Sequence, residues 1–240
     1  MAERFRLVFV DLRGQGRSDL VDPATLSLDL MAADIESLAI ALQFESFAVL
    51  GQSFGSFVAL RHAVDYGHAS HYMLLGAVAS ARWLDRIDAN LRAFEPPELR
   101  TQVEAAWDAE TTVETIDQFR RLLADQLPFH FADPDGEPLR EFTAATARMQ
   151  LAPDVLRTFA NGAYGGIEVL PDLRKIQAPV LVISAEFDRV TVPEAGWEIA
   201  EAVPKGECVL VKNAGHMAFV EKPKAIMDAI TAFVDRFPVE

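Results

Sequence analysis

The chain has 240 residues, half of them hydrophobic, with 22 Lys and Arg against 36 Asp and Glu and a formal net charge of −14. That length builds one domain, or one with an insertion, and the acidity argues against nucleic acid or an anionic membrane as partner, since both need basic patches. The lone Cys208 excludes a disulfide framework, no apolar run is long enough to span a bilayer, and MAERFRLVFVDLR is too short in apolar residues for a secretory signal, so a cytoplasmic location is expected.

In chain order, FRLVFVD (5–11) reads as a first buried strand, and a helix follows over 29–43. FAVLG (47–51) is a second strand, running into a helix over 54–66, and HYMLLGAVA (71–79) is a third. From 81 to 170 the spacing turns helical, as in Ile116, Phe119, Leu123 and Leu127, with breaks at EPPE, DPDGEP and AP and no strand-like run. PVLVISA (179–185) and CVLVKN (208–213) resume the strands, each followed by a helix, over 193–203 and 222–236. Strands alternating with helices predict an α/β fold with a mostly parallel sheet covered on both faces. The all-helical stretch 81–170 is expected as a cap inserted after the third strand, with 1–80 and 171–240 forming the core. Cys208 reads as a small packed residue opening the last strand.

The stretch VLGQSFGSFVAL places Ser53 between two glycines where a strand turns into a helix. Such a turn can display a nucleophile, or it can be a tight packed connection. The displayed serine needs small neighbours two residues away on each side, and Gly51, Gly55 and Ser56 supply that room. The Phe54 N–H, first in the helix, would then face a developing oxyanion. A serine also needs a base and an orienting acid. His216 follows the last strand, and Asp188 follows the strand before it, so both lie with Ser53 on the sheet edge where open α/β folds bind ligands. Their chain order, Ser, Asp, His, is one of the known triad orders. His62, His68 and His71 read as packed or solvated, and His130 reads as packing that could line an entrance.

Together these segments resemble the α/β-hydrolase family over nearly the whole chain: FVDLRGQGRSD after the first strand, GQSFGS as nucleophile elbow, SAEFDRVTVP around the acid and NAGHMAFVEKP around the base. The likeness is closer to the proline iminopeptidase-like, esterase and enol-lactonase branch than to lipases. It implies a serine hydrolase in which His216, oriented by Asp188, takes the proton of Ser53 as an acyl-enzyme forms. The DLRGQGRSD segment has a structural reading, with Gly14 and Gly16 making a turn and Asp11 and Arg13 bracing loops. No cofactor and no metal are expected; the partner is a small-molecule ester, amide or lactone, and the oligomeric state is open.

Gln52 and Met217, which adjoin the nucleophile and the base, and Trp83 and Phe129, from the helical stretch, are expected to contact substrate. The acids Glu95, Glu98, Glu104, Asp108, Glu110 and Glu114 could receive a substrate amine or be an ordinary acidic helix surface. Two other classes stay open: a receptor that kept the fold and triad, and a cofactor-free haloperoxidase-like or carbon–carbon-bond hydrolase. The family's strands before the DLRG segment, and the loop giving a second oxyanion donor, have no counterpart here. The expectation is a shortened form of a longer hydrolase, weakened on the order of 10²–10³ in kcat, or a donor recruited from elsewhere in the fold.

Overall fold

A computed structural model describes residues 5–238, so residues 1–4 and 239–240 of the predicted core lie outside it. Four short aliphatic runs form the sheet: β1 (Ala48–Gln52), β2 (His71–Leu75), β3 (Val180–Ala185) and β4 (Gly206–Val211). All pair in parallel in the order β1-β2-β3-β4. Every residue of β2 and β3 is buried, as continuous apolar runs in a parallel sheet covered on both faces must be.

Alternation along the central strands assigns the two faces. Tyr72, Leu74, Val180 and Val182 pack against α1 (Leu28–Ala41), α2 (Phe54–Asp65) and α8 (Pro193–Ala202). Met73, Leu75, Leu181 and Ile183 point the other way, onto Ile226, Ile230 and Phe233 of α10 (Pro223–Arg236), with the short α9 (Ala218–Glu221) before it. A buried polar group ties α1 and α2 to β2. His62 Nε2 lies 3.1 Å from Glu36 Oε2, and its Nδ1 lies 2.8 Å from the Tyr72 hydroxyl. The carboxylate can only accept the Nε2 proton, so Nδ1 accepts from Tyr72.

Between β2 and β3 the chain is helical: α3 (Arg86–Arg92), α4 (Pro97–Ala109), α5 (Ile116–His130), α6 (Glu137–Thr146) and α7 (Pro153–Asn161). Thr115 and Gln118 form a capping box that starts α5. An antiparallel bridge between Ser80 and Glu168, with Ser80 Oγ donating to Glu168 Oε2 at 2.6 Å, closes the neck of this insertion. Arg13 grips Asp34 of α1 through Nε and Nη2 at 2.6 and 2.5 Å, and Arg17 binds Asp11, which is the bracing expected of the DLRG turn.

One expected strand does not form. Residues 6–11 run outside the sheet, and Leu7, Val8, Phe9 and Val10 are exposed, Phe9 by 83%. An apolar run specifies burial but not a neighbour, and no described strand pairs with the outer edge of β1. The insertion therefore follows the second strand of the sheet instead of the third. Cys208 is the third residue of β4, half-buried, with Sγ 3.8 Å from Ser184 Oγ.

Candidate active site

β1 ends at Gln52, α2 begins at Phe54, and Ser53 takes the whole turn with φ 50° and ψ −121°. A non-glycine residue rarely holds such a backbone, and this strain persists only where the surroundings enforce it. Gly51 is one enforcer: a Cβ there would sit 2.2 Å from the Gly55 carbonyl oxygen. Gly55 is not another, because a Cβ at that position would meet nothing within 4 Å. Of the two glycines expected to make room, Gly51 is needed at that size and Gly55 is not. The Ser53 N–H donates to Leu75 O at 2.8 Å, and Ser56 Oγ donates to Ser53 O at 2.5 Å. The Phe54 N–H heads the helix with no acceptor among the described residues.

Asp188 and His216 are buried neighbours on the loops after β3 and β4, with His216 Nδ1 2.9 Å from Asp188 Oδ2. The carboxylate also accepts the Val190 N–H (2.9 Å), the Thr191 N–H (2.8 Å) and the Thr191 hydroxyl (2.8 Å). Burial would raise the Asp188 carboxyl, but the adjacent His216 and the Thr191 hydrogen bonds outweigh it and hold the group below the usual carboxylate range. His216 Nδ1 therefore carries a proton towards Asp188, and Nε2 is left as the basic nitrogen.

The tip of β2 joins these parts. Leu75 holds the Ser53 backbone, and the next residue, Gly76 (φ 58°), lies against the histidine: a Cβ there would be 3.1 Å from His216 Cε1 and 2.9 Å from Thr191 Oγ1. Ser53 Oγ makes no hydrogen bond to His216 among the described residues. The geometry is a displayed serine and an oriented histidine–carboxylate pair around one strand tip.

The other expected contacts divide. Gln52 is half-buried at the end of β1, and Met217 is buried against Leu127 and Phe131. Trp83 gives its indole N–H to Glu198 of α8 at 2.7 Å, so that polar edge is occupied by the fold. Phe129 is fully buried among Phe94, Val103 and Val190 and offers a substrate no surface. It is aromatic packing of the insertion. Glu104, Asp108 and Glu110 line a cleft of about 880 Å³ at the insertion, whose walls include neither Ser53 nor His216. Glu95 pairs with Arg100.

Several residues that the sequence did not single out bolt the insertion to the site. Arg189, next to the acid, donates through Nη1 to Phe131 O (2.7 Å) and Phe129 O (3.4 Å), and through Nη2 to Ala132 O (3.4 Å). Glu221 accepts the N–H of Ala132 (2.9 Å) and of Gly215 (2.7 Å). The Met217 N–H donates to His130 O at 3.2 Å, which brings the His130 ring to 5.5 Å from that of His216. The sequence signal available was adjacency alone: Arg189 and Thr191 follow Asp188 by one and three residues, and Glu221 follows His216 by five. Among the described residues, no group of three or more His, Cys, Asp or Glu is arranged to hold a metal ion.

The alpha/beta hydrolase family profile matches residues 1–229. The chain belongs to that family. A proline iminopeptidase of Xanthomonas citri is 29% identical over 98% of this chain and 81% of its own length. A Mycobacterium tuberculosis H37Rv protein, provisionally named as the non-heme bromoperoxidase BpoC, is 28% identical over 97% of this chain and 84% of its own. Among solved structures, a thermophilic esterase from Thermogutta terrifontis superposes with a TM-score of 0.72 at 20% identity, covering 95% of this chain and 79% of the other. That identity supports the fold alone. As an α/β hydrolase this chain is an enzyme of a hydrolase family, and no helix among its described residues is long and apolar enough to cross a membrane.

Proposed function

We propose that this α/β hydrolase is a serine hydrolase that cleaves a small ester, amide or lactone through Ser53, His216 and Asp188. The observation that carries the reading is the strained Ser53 turn beside a His216–Asp188 pair buried at 2.9 Å. His216 Nε2 accepts the Ser53 proton as Oγ attacks the substrate carbonyl, and Asp188 stabilises the resulting imidazolium. The Phe54 N–H stabilises the oxyanion. The alcohol or amine leaves with the proton from His216, and water activated by the same nitrogen frees the acid. Residues 1–80 and 171–240 act as core, 81–170 as cap, and the protein works on a small molecule in the cytoplasm, without a cofactor.

The likeness to a proline iminopeptidase supports an aminoacyl substrate, and the esterase-like fold is compatible with simple esters. Haloperoxidase-like chemistry at the same residues is the second reading, supported by the M. tuberculosis relative. The test is a fluorophosphonate probe with a panel of p-nitrophenyl esters, lactones and aminoacyl anilides, run beside a bromide–peroxide assay. Wild type should label and turn over at least one class, and Ser53→Ala should do neither. Labelling or turnover that survives in Ser53→Ala would overturn the nucleophile assignment.

A further inference from the structure

His130, at the last turn of α5, is a histidine beside the site that the proposed chemistry does not use. Its Nδ1 lies 3.0 Å from the backbone oxygen of Gln126. A carbonyl oxygen can only accept, so Nδ1 holds the proton and Nε2 carries a bare lone pair. Burial, and then the neighbouring His216, push the group down to about 4, so the ring is neutral at physiological pH. Nε2 has no hydrogen-bond partner among the described residues, and the side chain as a whole is half-buried. The buried side-chain polar atom without a partner, among the described residues, is Trp107 Nε1.

The ring is also held still. It stacks on Trp107 at 6.0 Å with a 10° interplanar angle and presents itself to His216 at 61°. The backbone around it is clamped by Arg189 and Met217, and Gly215 packs so close that a Cβ there would lie 2.7 Å from His130 O. A fixed neutral acceptor beside the base costs little to reorganise when a donor reaches it.

Resting on the serine-hydrolase reading above, we propose that His130 is a specificity residue whose Nε2 accepts a hydrogen bond from an N–H or O–H next to the scissile carbonyl. The enzyme then selects hydroxyacyl or aminoacyl substrates over bare acyl ones. A hydrolytic water is the other donor that could use this lone pair, and it would serve every substrate alike.

The test compares p-nitrophenyl lactate, each enantiomer, with p-nitrophenyl isobutyrate, which replaces the hydroxyl by a methyl. Each kcat/KM is normalised to the ester's own hydroxide-catalysed rate. Wild type should favour one lactate enantiomer. His130→Phe, which keeps a ring to stack on Trp107, should lose about tenfold on that ester and stay within about twofold on isobutyrate. His130→Gln, which keeps an acceptor oxygen, should retain part of the preference. Equal loss on both esters in His130→Phe, as a water-holding or purely structural role gives, overturns the proposal, and so does no loss on either. An active wild type without the preference sinks the role of His130 alone. A wild type that neither labels at Ser53 nor cleaves either ester sinks the hydrolase reading beneath it.

Discussion

Gly51 and Gly55 flank the same serine and have opposite tolerances. Gly51→Ala would drive a Cβ into backbone at 2.2 Å, and the turn must open or the fold must yield. Gly55→Ala enters open space at the second position of a helix, where alanine is favoured by up to about 1 kcal/mol. Chemical denaturation should show a loss of about 3 kcal/mol or an unfolded product for the first, and a neutral or slightly raised stability for the second. Equal effects would mean that the elbow is not held as described. At the acid, Asp188→Asn leaves a neutral amide facing His216 Nδ1 and Thr191. If Asp188 sets the tautomer, kcat should fall roughly 10⁴-fold with the unfolding midpoint little changed, and a loss under tenfold would count against that role. The glycine pattern around Ser53 was visible in the sequence, but the unequal importance of the two glycines was not. It depends on where the Gly55 carbonyl lands after the turn closes.

Among the elements, α5 is the one whose end the site depends on. Arg189 sits where the helix leaves its last carbonyls unpaired, and a cation there also meets the negative end of the helix dipole. Its guanidinium lies 5.0 Å from the Phe94 ring centre as well. Arg189→Met should cost about 1.5–3 kcal/mol, the range for hydrogen bonds to a charged group, and should lower kcat/KM by more than the loss of folded protein explains. Unchanged stability would show that water replaces the clamp. Two histidines, His62 buried and His130 half-buried, set the acid limit of the packing. Burial lowers His62 and takes His130 down to about 4, so each is neutral when folded. Below the unfolded value of ~6.5 the unfolded chain gains these protons first, so stability is full above that pH and is lost as pH falls towards the folded values. The unfolding free energy should decline from near pH 6.5 by up to about 1.4 kcal/mol per pH unit for each histidine, and His130→Phe should flatten the slope down to about pH 4. A wild-type profile that is level from pH 7 to 5 would contradict both lowered values.

Across the whole molecule, one edge is left apolar. Leu50 on β1 is 45% exposed, and Val8 and Phe9 lie in the exposed segment before the DLRG turn. An open strand edge with apolar surface nearby promotes self-association. Phe9→Lys removes no packed contact from an 83% exposed side chain, so its unfolding midpoint should match wild type while light scattering on concentration falls. Unchanged scattering would place the association-prone surface elsewhere.

By itself the sequence determined the alternation of strands and helices, the parallel sheet, the all-helical insertion and the three residues nominated for chemistry. Those features are carried by local patterns: apolar runs for buried strands, a 3.6-residue period for helices, and small residues around a serine at a strand–helix turn. Tertiary structure alone decided the rest. The run at 5–11 has the composition of a buried strand, yet no described strand pairs with residues 6–11, because pairing is a property of two segments. Phe129 and Trp83 look like pocket aromatics in sequence, but one is sealed in packing and the other is bonded to Glu198. Arg189, Glu221 and His130 became part of the site because α5 ends against the loops after β3 and β4. Contacts between segments this far apart in the chain leave no periodicity for a sequence to display.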